Sequence, residues 1–135
     1  LSHFTRIRTQ LRDAEVLAAA LRDVGLQEVE VHDQPQTLYG YQGDARSEKA
    51  EVIVRRAYIG SASNDIGFAR GAGDTFEAII SEFDRGRYDQ AWLTKLTRSY
   101  GYAATMKYAK TNGYEVETDE LQQDGSRRLT LRRSV

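Results

Sequence analysis

Asp65, His3 and Arg70 are the residues whose types could perform chemistry together. A carboxylate and an imidazole can exchange a proton, and a guanidinium can hold an anion beside them. They would form a small-ligand or enzyme site only if the fold brought them into one pocket. His3 and His32 are the only imidazoles of the chain. Neither opens an H-x-x-x-H or H-E-x-x-H helical pattern, so no metal site is read from them. His3, beside a strand, fits a hydrogen-bonded structural role better. The chain has no cysteine, which removes thiolate nucleophiles, disulfides and Cys-ligated zinc or iron–sulfur centres. Gly67, Gly71 and Gly73 flank Phe68 and Arg70, but a phosphate loop needs a Gly-Lys-Ser/Thr ending that is absent here. No G-x-S-x-G elbow occurs. Catalysis is therefore not expected, and neither a cofactor nor a metal.

Binding chemistry is better represented. Ile66-Gly67-Phe68-Ala69 echoes the aromatic strand of an RNA-recognition module, with Tyr39, Tyr41 and Tyr58 able to share its sheet surface. That motif wants a basic residue where Ile66 stands and an aromatic where Arg70 stands.

The net charge of -1 averages over segregated blocks. Residues 85–111 hold Arg85, Arg87, Lys95, Arg98, Lys107 and Lys110 against Asp89 alone. Residues 112–125 are acidic, and Arg127, Arg128, Arg132 and Arg133 follow. A two-residue turn at Asp124-Gly125 would set Glu117 opposite Arg132 and Arg128 diagonal to Asp119, so the arginines are mostly explained by their own hairpin. Lys107 and Lys110 suit a helix C-terminus. Arg85 and Arg87 precede that helix, where its dipole gives no help, and are the better candidates for an external anionic partner.

The elements that must position these residues are legible from periodicity. Phe4, Ile7 and Thr9 mark a first strand. Asp13 caps a helix whose stripe is Val16, Leu17, Ala20, Leu21 and Val24, closed by Gly25. Residues 27–31 alternate as a strand, Pro35 interrupts it, and residues 37–41 resume an extended pattern. Residues 43–48 read as a polar loop, and residues 50–59 as a central strand around Val52, Ile53 and Val54. Residues 66–70 extend again. Residues 75–83 read as a strand, although Phe76, Ile79, Ile80 and Phe83 also fit a helical stripe. A long helix opens at Tyr88-Asp89 and stops at Asn112-Gly113, with Gly101 as a point where it could kink or split. A hairpin ends the chain.

The order β-α-β-β-β-(β)-α-β-β predicts an α+β fold: an antiparallel-rich sheet with two main helices on one face, ferredoxin-like or an elaboration of it. One domain over residues 1–135 fits the length, and 40% apolar residues suffice for a core despite a mean hydropathy of -0.61. The longest apolar run, residues 16–21, falls far short of a membrane span. The charged opening residues carry no signal-peptide core.

Four segments resemble one family. They are Ser2-His3-Phe4-Thr5-x-Ile7-x-Thr9-Gln10, Tyr39-Gly40-Tyr41-Gln42-Gly43, Asn64-Asp65-Ile66-Gly67-Phe68, and the end from Leu96-Thr97 through Asp124-Gly125-Ser126-x-Arg128-Leu129. Together they resemble the hypothetical chloroplast reading frame thirty-five family of cyanobacteria and algal plastids, across essentially the whole chain. That family opens with Met before Ser-His-Phe. Leu1 departs from it, as a literal reading of an alternative start codon would. Residues 83–87 also lack a paired tryptophan expected there. The resemblance implies a protein of no assigned activity or cofactor, in a gene context of small ferredoxins and AAA-type ATPases. The expectation is a non-catalytic accessory or binding protein of the cyanobacterial cytoplasm or plastid stroma. Its partner would be an unidentified protein, such as an AAA-type ATPase or a ferredoxin-context protein. It would use His3, Tyr39, Tyr41, Gln42, Asn64, Asp65, Phe68 and Arg70, with Arg85 and Arg87. RNA binding through the basic helix and strand aromatics is the rival reading.

Overall fold

The computed structural model describes residues 3–133. Seven strands and two long helices follow in the order β1 (Phe4–Arg8), α1 (Ala14–Asp23), β2 (Glu30–Tyr39), β3 (Ala45–Val54), β4 (Ile66–Arg70), β5 (Phe76–Ser81), α2 (Gln90–Thr111), β6 (Tyr114–Leu121) and β7 (Arg127–Arg133). Asp13 caps α1 by accepting from the N–H groups of Glu15 and Val16 at 3.0 and 3.1 Å. Gly25, just past its end, takes φ +107°, which a side-chain-bearing residue resists. Residues 75–83 resolve in favour of the strand.

Five strands form one sheet in the order β1-β5-β4-β3-β2. Every pairing is antiparallel. It is a four-strand meander to whose β5 edge β1 is added, and α1 carries the chain from one edge to the other. Val16, Leu17, Ala20 and Leu21 of α1 and Leu93 and Leu96 of α2 are buried. Both helices share the core with Val52, Val54, Ile66, Phe68, Phe76, Ala78 and Ile80. The α+β layering with both helices on one sheet face is thus present.

A second apolar layer lies across the sheet, where Leu38, Ala50, Ile53, Ala69 and Ile79 pack with Phe4. It is covered by the chain's own β2–β3 hairpin. Between the pairs Val31–Val52 and Gln36–Ala50, β2 spends five residues where β3 spends two. Pro35 lies in that excess, so the ladder breaks and the outer half of the hairpin folds back over the sheet. The expected interruption at Pro35 is therefore a bulge within one strand, and the expected polar loop at 43–48 is strand from Ala45 onward. Gly67 makes the fold-over possible. A methyl group there would sit 2.7 Å from the Ala50 Cβ and 2.9 Å from a Leu38 methyl.

Two expectations are corrected at the C-terminal end. α2 runs without a break through Gly101, whose carbonyl also accepts from the Thr105 hydroxyl at 2.9 Å. Its 22 residues span about 33 Å. In the β6–β7 hairpin, Gln122 pairs with Ser126, leaving a three-residue loop. With a bulge between Val116 and Thr118, Arg132 comes to lie opposite Glu115 and not Glu117. Arg132 bonds Glu115 at 3.0 Å, and Arg127 bonds Asp119 at 3.0 Å.

Candidate functional site

Most of the residues singled out from sequence meet at one end of the sheet. Three loops converge there: residues 39–44 at the hairpin tip, residues 55–65 between β3 and β4, and residues 81–88 between β5 and α2. Asn64 joins all three. Its Oδ1 accepts from the Tyr41 N–H at 3.0 Å, and its Nδ2 donates to Ser81 Oγ at 2.9 Å and to Asp84 Oδ2 at 3.2 Å. Its own N–H also donates to Asp84 Oδ2, which takes the Ser81 hydroxyl as well. Asn64, Ser81 and Asp84 are all buried.

Asp65 is the second fastening. Oδ2 accepts from the Tyr39 N–H at 2.8 Å and from Arg55 Nη1 at 2.9 Å, while Oδ1 accepts from the Arg56 N–H at 2.7 Å. The carboxylate is 1% exposed, so each of these donors offsets a desolvation cost that no water can meet. Arg55 extends the network to Glu30 through two bonds of 2.9 and 3.0 Å, and His32 Nε2 lies 2.8 Å from Glu30 Oε1. The Arg56 guanidinium donates to the carbonyls of Tyr41, Ser61 and Ser63. The polar groups of Asn64 and Asp65 are thus spent on backbone and side-chain bonds that tie the three loops together.

Hydrogen bonds from Arg55 keep the Glu30 carboxyl below its ordinary pKa, burial opposes this, and His32 adds to the lowering. A depressed carboxylate stabilises the fold above its unfolded pKa of about 4.3, and the stability is lost as pH falls through the lower folded value. Urea midpoints at pH 6 and pH 3 are expected to differ less in Glu30→Gln than in the wild type. Equal differences would show that Glu30 contributes nothing to the acid limb.

Of the remaining predicted residues, His3 lies at this same end, its carbonyl accepting from the Glu82 N–H at 2.8 Å. Gln42 is exposed at the hairpin tip and Tyr41 is half-buried. Arg85 donates to the Tyr88 carbonyl at 3.1 Å, and Arg87 lies 5.4 Å above the Tyr88 ring. Two residues do not join them. Phe68 is fully buried in the helix-side core, so it shares no surface with Tyr39, Tyr41 and Tyr58: alternation turns it to the face that α1 and α2 cover. Arg70 lies at the far end of β4, five residues and roughly 16 Å from Asp65. It stacks 4.4 Å over Phe76 and donates to the Arg12 carbonyl. His3, Asp65 and Arg70 therefore do not converge.

The exposed aromatics at this end are Tyr39, Tyr58 and Phe83, at 40%, 61% and 58%. Each stands on one of the three fastened loops, so the loops form a platform. Sequence reading passed over Glu30, Arg55, Arg56, Ser81 and Asp84. The signal available for Arg55 and Arg56 was two charges directly after the apolar run Val52-Ile53-Val54, which demands a buried acceptor nearby.

A separate groove of about 680 Å³ runs between the end of α1, α2 and the β6–β7 turn, and none of the predicted site residues line it. Lys95, Arg98, Arg127 and Asp23 are the charged groups on its walls. Ser99 donates to Asp23, and Arg127 pairs with Asp119. Lys107 of α2 pairs with Asp13.

A family profile described as a protein of unknown function (DUF1257) matches residues 20–130. The chain is 27% identical to an uncharacterized protein ycf35 of Pyropia yezoensis and 27% identical to one of Guillardia theta, in each case over 98% of both chains. A ycf35 protein of Cyanophora paradoxa is 22% identical, again over 98% of both chains. No solved structure matches.

Proposed function

The chain belongs to the DUF1257 family of proteins of unknown function, and from that premise we propose that it is a non-catalytic binding protein that meets a protein partner through the three-loop platform. One observation carries the reading. Tyr39, Tyr58 and Phe83 are large, exposed and apolar, and they stand on loops whose buried polar groups are committed to fixing them. Aromatic side chains on a pre-ordered surface lose little entropy on binding and supply most of the energy at protein interfaces. The proposed setting is a cyanobacterial cytoplasm or plastid stroma, supported by the algal sources of the named relatives.

The test is the double variant Tyr58→Ser/Phe83→Ser, compared with wild type in affinity purification from native extract at stringent salt. Both positions are exposed, so the thermal midpoint should stay close to wild type. Wild type is expected to retain a specific protein that the double variant loses. An identical set of retained proteins, or none with wild type, would remove the platform from function.

A further inference from the structure

The strand β1 leaves one side of the sheet open. The His3 carbonyl accepts from Glu82 N–H and the Thr9 N–H donates to the Phe76 carbonyl. Thr5 faces Ile80 and Ile7 faces Ala78 in the same register. In an antiparallel ladder alternate residues bond to one neighbour, so His3, Thr5, Ile7 and Thr9 bond toward β5. Phe4, Arg6 and Arg8 then direct their N–H and C=O groups away from the sheet. Among the described residues no strand pairs with that side. The other edge, β2, carries Pro35 and a bulge, two devices that deter strand addition. β1 has neither.

Its side chains say what could be added. Arg6 and Arg8 lie on the outer face with one carboxylate between them. Glu77 is 3.7 Å from Arg6 and is the register partner of Arg8. Two guanidiniums against one carboxylate leave a cationic surplus at the edge. A second copy of β1 would bring arginines against arginines, which like-charge cross-strand pairs disfavour. The opposite face carries Thr5 and Ile7, and Ile7 packs against the helix-side core. A neighbouring strand would extend that core with apolar residues.

We propose that β1 receives, as a sixth strand, an extended segment of a partner protein that alternates carboxylate and apolar side chains. Main-chain hydrogen bonds to Phe4, Arg6 and Arg8 would hold it, and the arginine pair would select its charge. The proposal rests on the reading that this protein acts by protein contact. The edge begins beside the platform, since His3 bonds Glu82 next to Phe83.

The probe is a capped eight-residue peptide alternating glutamate and valine, titrated into isotope-labelled protein. Controls alternate lysine and valine, or carry N-methyl groups on alternate residues in either register. The acidic peptide is expected to slow amide exchange at Phe4, Arg6 and Arg8 by roughly tenfold or more, and to bind better than the lysine peptide. One N-methylated register should fail to bind. The charge reversal Arg6→Glu/Arg8→Glu should invert the preference between the acidic and basic peptides. Unchanged exchange at those three amides, or equal binding of acidic and basic peptides, overturns the proposal. The Tyr58→Ser/Phe83→Ser variant should bind the peptide as wild type does, so loss of the platform reading and loss of the β1 reading remain distinguishable.

Discussion

Replacing Asp65 with alanine is expected to cost about 3–5 kcal/mol of stability, the range for removing one partner of a buried ion pair. Three donors lose their acceptor together: the Arg55 guanidinium and the N–H groups of Tyr39 and Arg56. Arg55 keeps Glu30 and the Thr37 carbonyl, so much of the cost falls on the two backbone N–H groups, each about 1–3 kcal/mol when left unpaired. The backbone N–H groups are served by no other acceptor. The thermal midpoint should fall by roughly 10–20 °C for a domain of this size. Asp65→Asn should recover part of the loss, since its one carbonyl oxygen can still accept. A loss under about 1 kcal/mol would mean that Asp65 does not fasten the hairpin.

Phe68→Ala should be similarly severe, about 3–5 kcal/mol in urea denaturation, because the ring is fully buried between sheet and helices. Phe83→Ala is the matched comparison. At 58% exposure it should cost under about 1 kcal/mol. A mild Phe68→Ala together with a severe Phe83→Ala would reverse the assignment of the two rings, placing the surface aromatic in β4 and the core aromatic after β5.

These two residues mark where sequence reading reached and where it stopped. The helix from Ala14 to Asp23 was legible because cap, stripe and closing glycine agree with one another locally. The strands around Val52 and Phe68 were legible from their residue types, but the face that each side chain takes is decided by what packs on the sheet. An aromatic at Phe68 has the same local signature whether it is bare or covered. Asn64 and Asp65 lie in the loop between β3 and β4. Their burial follows from the hairpin folding back, and that depends on a bulge at Pro35 and on the absence of a side chain at Gly67. The hairpin register was missed for a related reason: the three-residue turn and the bulge after Val116 are set by the backbone twist, and the acidic and basic residues tolerate several alignments.

The pairing of β1 with β5 also bears on how the chain reaches this state. The Thr5 hydroxyl bonds the Ile80 carbonyl 75 positions away. Closing a loop of that length costs about 4 kcal/mol in chain entropy before any contact compensates. The β2-to-β5 meander closes shorter loops, so it is expected to assemble first and β1 to dock after the folding barrier. Ile7→Ala should then accelerate unfolding and leave the folding rate nearly unchanged in stopped-flow measurements. Slowed folding would instead put β1 in the nucleus. On the expected order, the edge of β5 stays bare until β1 docks, and the folding chain is most prone to mispairing there just before that strand arrives.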